Sequence, residues 1–203
     1  LYSFLLPKYP EFSTTNIKVI AVGTGQAILN AKNCDGDILI VHDKSREDEF
    51  MQNGFGTIRH NLMYNDFVIV GPKDDPANIK SSQFAHKAFK QIFKSKSKFI
   101  SRSDSSGTHS FELSLWNKAN IDAGYYSGRW YLETGQGMGP TLNITVAMNG
   151  YTISDRSTWL KFNNKRSHVI LYENPQELRN EYGMILVNSS KCQDMNIDSA
   201  IKL

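Results

Sequence analysis

FISRSDSSGTH, residues 99–109, is the stretch on which the reading of the whole chain turns. Phe99 and Ile100 open it as a short apolar strand over residues 98–101, and from residue 106 a helix is expected to run to Lys118. Between the two lies RSDSSGT, residues 102–108: a permanent cation, a carboxylate, three serines, a glycine and a threonine. The first N–H groups of a helix have no partner within it, and its dipole adds positive potential there. Arg102 brings a planar fork of donors, Ser106 and Thr108 bring hydroxyls, and Ser106, Gly107 and Thr108 offer backbone N–H groups. The segment therefore reads as an anion nest carrying its own counter-charge. An ion pair between Arg102 and Asp104 is the plainer reading of the arginine. The two are compatible, because Asp104 can orient the guanidinium while Arg102 holds a ligand.

Two further junctions have the same composition on either side of this one: VGTGQ, residues 22–26, and TGQGMG, residues 134–139. A lone junction of this kind is usually a helix cap. Three in one chain point to a cleft lined with donors and sized for a small tetrahedral oxyanion, placed where open α/β sheets bind ligands, at strand carboxyl ends.

The rest of the chain supports that architecture. Strands are expected at residues 16–22 (NIKVIAV), 37–42, 54–60, 62–70, 98–101, 130–134, 151–154, 168–172 and 182–187. Helices are expected at 26–32, 45–52, 84–93, 106–118, 138–148 and 156–162. Residues 2–11 read as a helix tail packed by Phe4, Leu5 and Leu6. Strands alternating with helices at this spacing predict an α/β protein with a largely parallel sheet. In residues 71–79 (GPKDDPANI) Pro, Gly and Asp concentrate, as a crossover between lobes would require.

Composition removes several functional classes. The chain has 203 residues and a formal net charge of +3, with 40% hydrophobic residues, which suits a packed core and gives little footing for nucleic acid. Lys94, Lys96 and Lys98 read as a solvated helix end. No apolar run approaches the roughly 18 residues that a bilayer span needs. Cys34 and Cys192 form no C-x-x-C pair, which argues against zinc or thiol redox chemistry. They read as two small core residues ahead of a single long-range disulfide. Gly23-Thr24-Gly25 is no dinucleotide fingerprint, since position 28 is Ile28. The histidines His42, His60, His86, His109 and His168 sit in no triad signature. His109, in the first turn of the central helix, is the one candidate general base, and the plainer reading is a helix-surface residue. A hydrolase or transferase acting on a phosphorylated small molecule through the same nest is the alternative function.

At these blocks the chain resembles a known family. Residues 20–28 (IAVGTGQAI), 63–77 (MYNDFVIVGPKDDPA), 99–109, 130–139 (WYLETGQGMG) and 151–160 (YTISDRSTWL) are similar to the tungstate-binding components of ABC importers. The 102–108 loop also looks like the phosphate-binding loop of the related phosphate receptors. The resemblance implies a type II periplasmic-binding-protein fold, with two α/β lobes, a hinge and a central cleft. Residues 1–70 plus 171–203 would form the first lobe and 72–170 the second. It implies that Arg102 and Thr108 contact the oxyanion, with Ser106 and Gly107 from the same loop, Thr24 and Gly25 from the first junction, and Gly137 and Met138 from the third.

The same resemblance sets the remaining expectations. The ligand would be tungstate or molybdate, with no catalytic residue, cofactor or bound metal ion other than the metal within the oxyanion. The partner would be a membrane permease and not nucleic acid, and the chain a monomer. Its location would be extracytoplasmic, periplasmic or lipid-anchored at the outer face. Two departures stand out. Position 103 is Ser103 where the family commonly has Gly, which is tolerable unless the position needs φ > 0. The family's Thr/Ser-rich ligand loop, placed by the resemblance before Leu1, has no match here, so weaker oxyanion binding is expected than in a chain that carries it.

Overall fold

A computed structural model describes residues 2–11 and 13–203. In chain order the helices are α1 Tyr2–Leu5, α2 Thr24–Lys32, α3 Lys44–Gln52, α4 Ala85–Ser95, α5 Gly107–Lys118, α6 Met138–Ala147, α7 Arg156–Lys161 and α8 Ile197–Lys202. The strands are β1 Ile38–Val41, β2 Gly56–Pro72, β3 Phe99–Ser101, β4 Tyr131–Glu133, β5 Thr152–Asp155, β6 His168–Glu173 and β7 Arg179–Val187. The chain divides into two compact units, Leu1–Leu62 with Gly183–Leu203 and Met63–Tyr182. Residues 68–72 and 168–173 hydrogen-bond to each other inside the larger unit.

In that larger unit β3 and β4 run parallel, pairing Phe99 with Tyr131, Ile100 with Leu132 and Ser101 with Glu133. On the other side of β3, Ile100 N donates to Tyr151 O and Tyr151 N donates to Lys98 O, each at 2.8 Å, which sets β5 parallel as well. β2 pairs antiparallel with both β5 and β6. The expected largely parallel sheet is therefore mixed. Crossover helices α5, α6 and α7 impose the parallel sense on β3, β4, β5 and β6, while β2 is reached by no such crossover and slots antiparallel between β5 and β6. Nearby, α4 buries Ala85, Ala88, Phe89 and Ile92 and leaves Lys87, Lys90 and Lys94 exposed, as its spacing requires. An aromatic cluster holds this core: Phe89 and Phe99 meet Trp116 edge-on with ring centroids 4.4 and 5.1 Å apart.

In the smaller unit β1 pairs antiparallel with β7, from Ile38 opposite Leu186 to Val41 opposite Gly183. Ile28, Ala31, Leu39, Val41, Phe50, Ile185 and Val187 fill its core. Cys34 and Cys192 form a disulfide across 158 residues, with Cα atoms 5.3 Å apart. This corrects the reading of two free core thiols. The pairing is made by α2 delivering Cys34 beside the segment that follows β7, a juxtaposition absent from the linear sequence.

Other expectations are also revised. Residues 16–22 join no ladder among the described residues, and Val19 and Ile20 are exposed. Their β-branched composition describes a strand, yet a strand needs a partner to pair with. The strands expected at 54–60 and 62–70 are one, β2, which runs on through the exposed polar residues His60 and Asn61. α1 ends at Leu5 and gives way to a single 3-10 turn, Leu6–Lys8, and Phe4 and Leu5 are exposed. α8 lies where the sequence carries no helix signal of its own.

Candidate functional site

Parallel pairing of β3 with β4 places Ser101 beside Glu133, so the two junctions that follow these strands are neighbours. Thr134 N donates to Ser101 O at 3.0 Å, Gln136 N donates to Arg102 O at 3.2 Å, and the Thr134 hydroxyl donates to both carbonyls. The structure thus joins residues 102–108 to 134–139, and brings Arg102, Ser106, Gly107 and Thr108 to the same strand ends as Gly137 and Met138. Thr24 and Gly25 open α2 in the smaller unit.

The 102–108 loop is scaffolded by its own side chains. Ser106 caps α5, its hydroxyl accepting from His109 N at 3.2 Å, and its N–H donates to Asp104 Oδ1 at 3.2 Å. Asp104 Oδ2 accepts from Arg102 Nε at 3.1 Å and from an Arg102 terminal nitrogen. The expected ion pair is therefore present. It uses two of the five guanidinium N–H groups and fixes the direction of the fork. Partial burial pushes the Asp104 carboxyl up, but the Ser106 hydroxyl and N–H together with Arg102 outweigh it and hold it below its ordinary value. Ser106 and Thr108 are buried and Gly107 begins the helix.

Ser103 adopts φ +46° and Ser105 φ +57°. Position 103 is thus of the kind that favours glycine, and serine is accommodated by local bonds. Ser103 N donates to the Ser101 hydroxyl at 3.2 Å and Ser103 Oγ donates to Glu133 Oε1 at 2.8 Å. Glu133 also accepts from the Ser127 hydroxyl. Those two hydroxyls, against slight burial and helped by His109, hold Glu133 below its ordinary value. His109 Nδ1 accepts from Ser105 N at 3.3 Å, so this ring nitrogen braces the loop.

α6 begins differently. Its cap residue Gly137 makes no side-chain bond, and a Cβ there would meet nothing within 4 Å at an ordinary backbone conformation. Neither packing nor dihedral angles require glycine at 137, and its absence of a side chain leaves the first N–H groups of α6 approachable. The Met138 side chain is buried, so the backbone is what that position can offer. At the 23–25 junction the cap residue Gly23 likewise makes no side-chain bond, while the Thr24 side chain is buried.

Sequence reading missed the residues beneath the loop. Glu112, on the inner face of α5, is 1% exposed and accepts from Ser101 Oγ at 2.8 Å, Tyr131 OH at 2.8 Å and Trp116 Nε1 at 3.2 Å. Burial pushes its carboxyl up to about 7 against the pull of those three donors, with the Glu133 charge adding to the rise. Thr141 was missed as well; its hydroxyl lies 3.0 Å from that of Thr134 and donates to Gly137 O at 3.0 Å. The only available signals were an acid in the apolar register of Leu115 and Trp116 and a threonine one turn into α6.

Comparison with known proteins places the chain. The model of the PBP superfamily domain matches residues 4–202. The chain is 41% identical over 202 residues to the tungstate-binding protein TupA of Peptoclostridium acidaminophilum, covering 98% of this chain and 70% of that protein. It is similar to a tungstate ABC transporter structure from Geobacter sulfurreducens at 42% identity and TM-score 0.85, covering 99% of this chain and 84% of the other. The structure of the tungstate-binding protein TupA from Desulfovibrio alaskensis G20 matches at 40% identity and TM-score 0.83, covering 100% and 82%.

Proposed function

The chain belongs to the PBP superfamily domain family, and on that premise we propose that it is an extracytoplasmic binding protein that captures a tetrahedral oxyanion, tungstate or molybdate, for uptake by an ABC transporter. The observation that carries this reading is the meeting of two helix starts at neighbouring parallel strand ends with an arginine whose fork is fixed by Asp104. Arg102, Ser106, Gly107 and Thr108 hold the anion, with the backbone at Gly137 and Met138. Thr24 and Gly25 supply the same helix-start chemistry from the smaller unit. Donors suffice for this task, and the chain is a binding protein, not an enzyme. His109 fits that role, since its Nδ1 is occupied in bracing the loop.

Asp104 bears on which anion is preferred. Its carboxylate already accepts from Arg102 and Ser106, and it is held ionised, so it is poorly placed to accept a proton from hydrogen phosphate. A fully ionised dianion asks for donors alone, which is what the loop provides. The disulfide suits an oxidising compartment. A membrane permease is the partner, and the chain works as a monomer without nucleic acid. Calorimetric titration with tungstate, molybdate, sulfate and phosphate tests the assignment. Tungstate and molybdate are expected to bind tightest; phosphate binding more tightly than either, or no binding of any of the four, overturns it.

A further inference from the structure

Glu112 is a carboxylate buried one and a half turns below the start of α5, with no cation bonded to it among the described residues. Its oxygens accept from Ser101 of β3, Tyr131 of β4 and Trp116 of its own helix. β4 adds the negative charge of Glu133. α4 turns Phe89 and Ile92 towards this core and keeps Lys87, Lys90 and Lys94 exposed, while β5 contributes the uncharged Thr152 and Ser154. On α5 itself His109 braces the loop through Nδ1 and Lys118 is exposed at the far end, while Arg102 is taken up by Asp104. Three neutral donors therefore support this anion, and the loop that they underlie is the one assigned to hold a second.

We propose that Glu112 couples anion capture to a proton: when a dianion enters the 102–108 loop, the Glu112 carboxylate takes up a proton from solvent, so that affinity rises as pH falls through neutrality. The proposal rests on the oxyanion-binding reading of the loop. Two like charges near one helix start, within a low-dielectric core, disfavour each other. Reciprocity then requires that protonation of Glu112 strengthen anion binding as much as the anion favours protonation. The resting carboxyl, pushed up to about 7, is in the range where such a change is available near neutral pH.

The loop is built to survive the change. Oε1 keeps its bonds from Tyr131 and Trp116, and the incoming proton goes to Oε2, facing Ser101. The Ser101–Glu112 hydrogen bond then reverses, with Glu112 donating. Ser101 Oγ, which has two lone pairs, still accepts from Ser103 N and so still anchors the φ +46° turn. Glu112 is a positioning residue in this scheme: it touches Ser101 and not the ligand.

Calorimetry of the chain with tungstate at micromolar concentration, repeated in buffers of different ionisation enthalpy, counts the protons taken up. Near pH 7 a fraction of one proton per anion is expected, with affinity falling about three- to tenfold between pH 6.5 and 8.5, within the limit that a single coupled group sets. Glu112→Gln should bind with no proton uptake and a flat profile. Should that variant not fold, the Glu112 carboxyl carbon of the wild type, followed by NMR with and without tungstate, should titrate at higher pH in the complex. Tungstate binding without proton uptake, an unmoved Glu112 titration, or the same uptake in Glu112→Gln overturns the proposal while leaving the binding function intact. No heat with tungstate at any pH sinks the binding function itself, and the coupling with it.

Discussion

The helix starts at 23–25 and 102–108 read alike in sequence but are built on different principles. At 102–108 the backbone passes through two left-handed residues, Ser103 and Ser105, and is held by hydrogen bonds from Ser101, Asp104, Ser106, His109 and Glu133. At 23–25 the turn has an ordinary conformation and no side-chain cap. What secures α2 lies just beyond its other end, where Cys34 is bonded to Cys192. One junction is preorganised polar machinery; the other is a plain helix end on a covalently stapled element. Preorganised donors cost little to bring to a ligand, so the first should carry most of the binding energy.

Substitutions at the two junctions can break this contrast. Arg102→Ala is expected to lose roughly 2–5 kcal/mol of oxyanion affinity, about 30-fold to several-thousand-fold, whereas Thr24→Val should lose on the order of 1 kcal/mol. Titration of both folded variants with tungstate checks it, and equal losses would erase the distinction. Next in size is the staple. Reduction or Cys34→Ser should destabilise the smaller unit by about 2–5 kcal/mol, given the long loop that is closed. Hydrogen exchange should show α2 losing protection while α5 keeps it.

The buried carboxylate beneath the polar junction gives a third test, in stability. Glu112 stands at about 7 in the folded protein against an ordinary 4.5. The folded state therefore holds the proton more tightly between these values. The contribution of Glu112 to stability should be fully present below pH 4.5 and be lost, by about 3 kcal/mol, as pH rises through 7. Urea midpoints across that range read it, and Glu112→Gln should flatten this part of the profile.

The smallest effect concerns the strained turn. Ser103→Ala keeps φ +46° and loses the bond to Glu133, while Ser103→Gly loses the bond and relieves the strain. The alanine variant should be less stable than the glycine variant by about 1 kcal/mol in paired thermal melts. Equal melts would mean that the loop relaxes around alanine, and that its preorganisation is weaker than its hydrogen bonds suggest.

Local chemistry carried most of what could be read in advance. The turn-rich 102–108 segment announced a strand-to-helix junction, and residues 84–93 announced α4, because capping and helical periodicity are written in residues a few places apart. Residues 16–22 show the limit: β-branched composition was clear, but exposed Val19 and Ile20 join no ladder among the described residues. β2 shows another, since a polar pair within a strand looks like a break until its partners are known.

The sequence by itself determined the βα alternation, the donor-rich helix starts, and the Arg102–Asp104 and Ser106–His109 arrangements, all set by neighbours along the chain. Only the tertiary structure decided that β2 runs antiparallel between β5 and β6, that residues 102–108 and 134–139 meet, that Cys34 finds Cys192, and that Glu112 is sealed beneath Ser101, Tyr131 and Trp116. The physical reason is range. Caps and periodic faces are stabilised by contacts within a turn or two, whereas strand order, a disulfide and the burial of a charge depend on residues brought together by packing, and no local pattern encodes which distant partner will arrive.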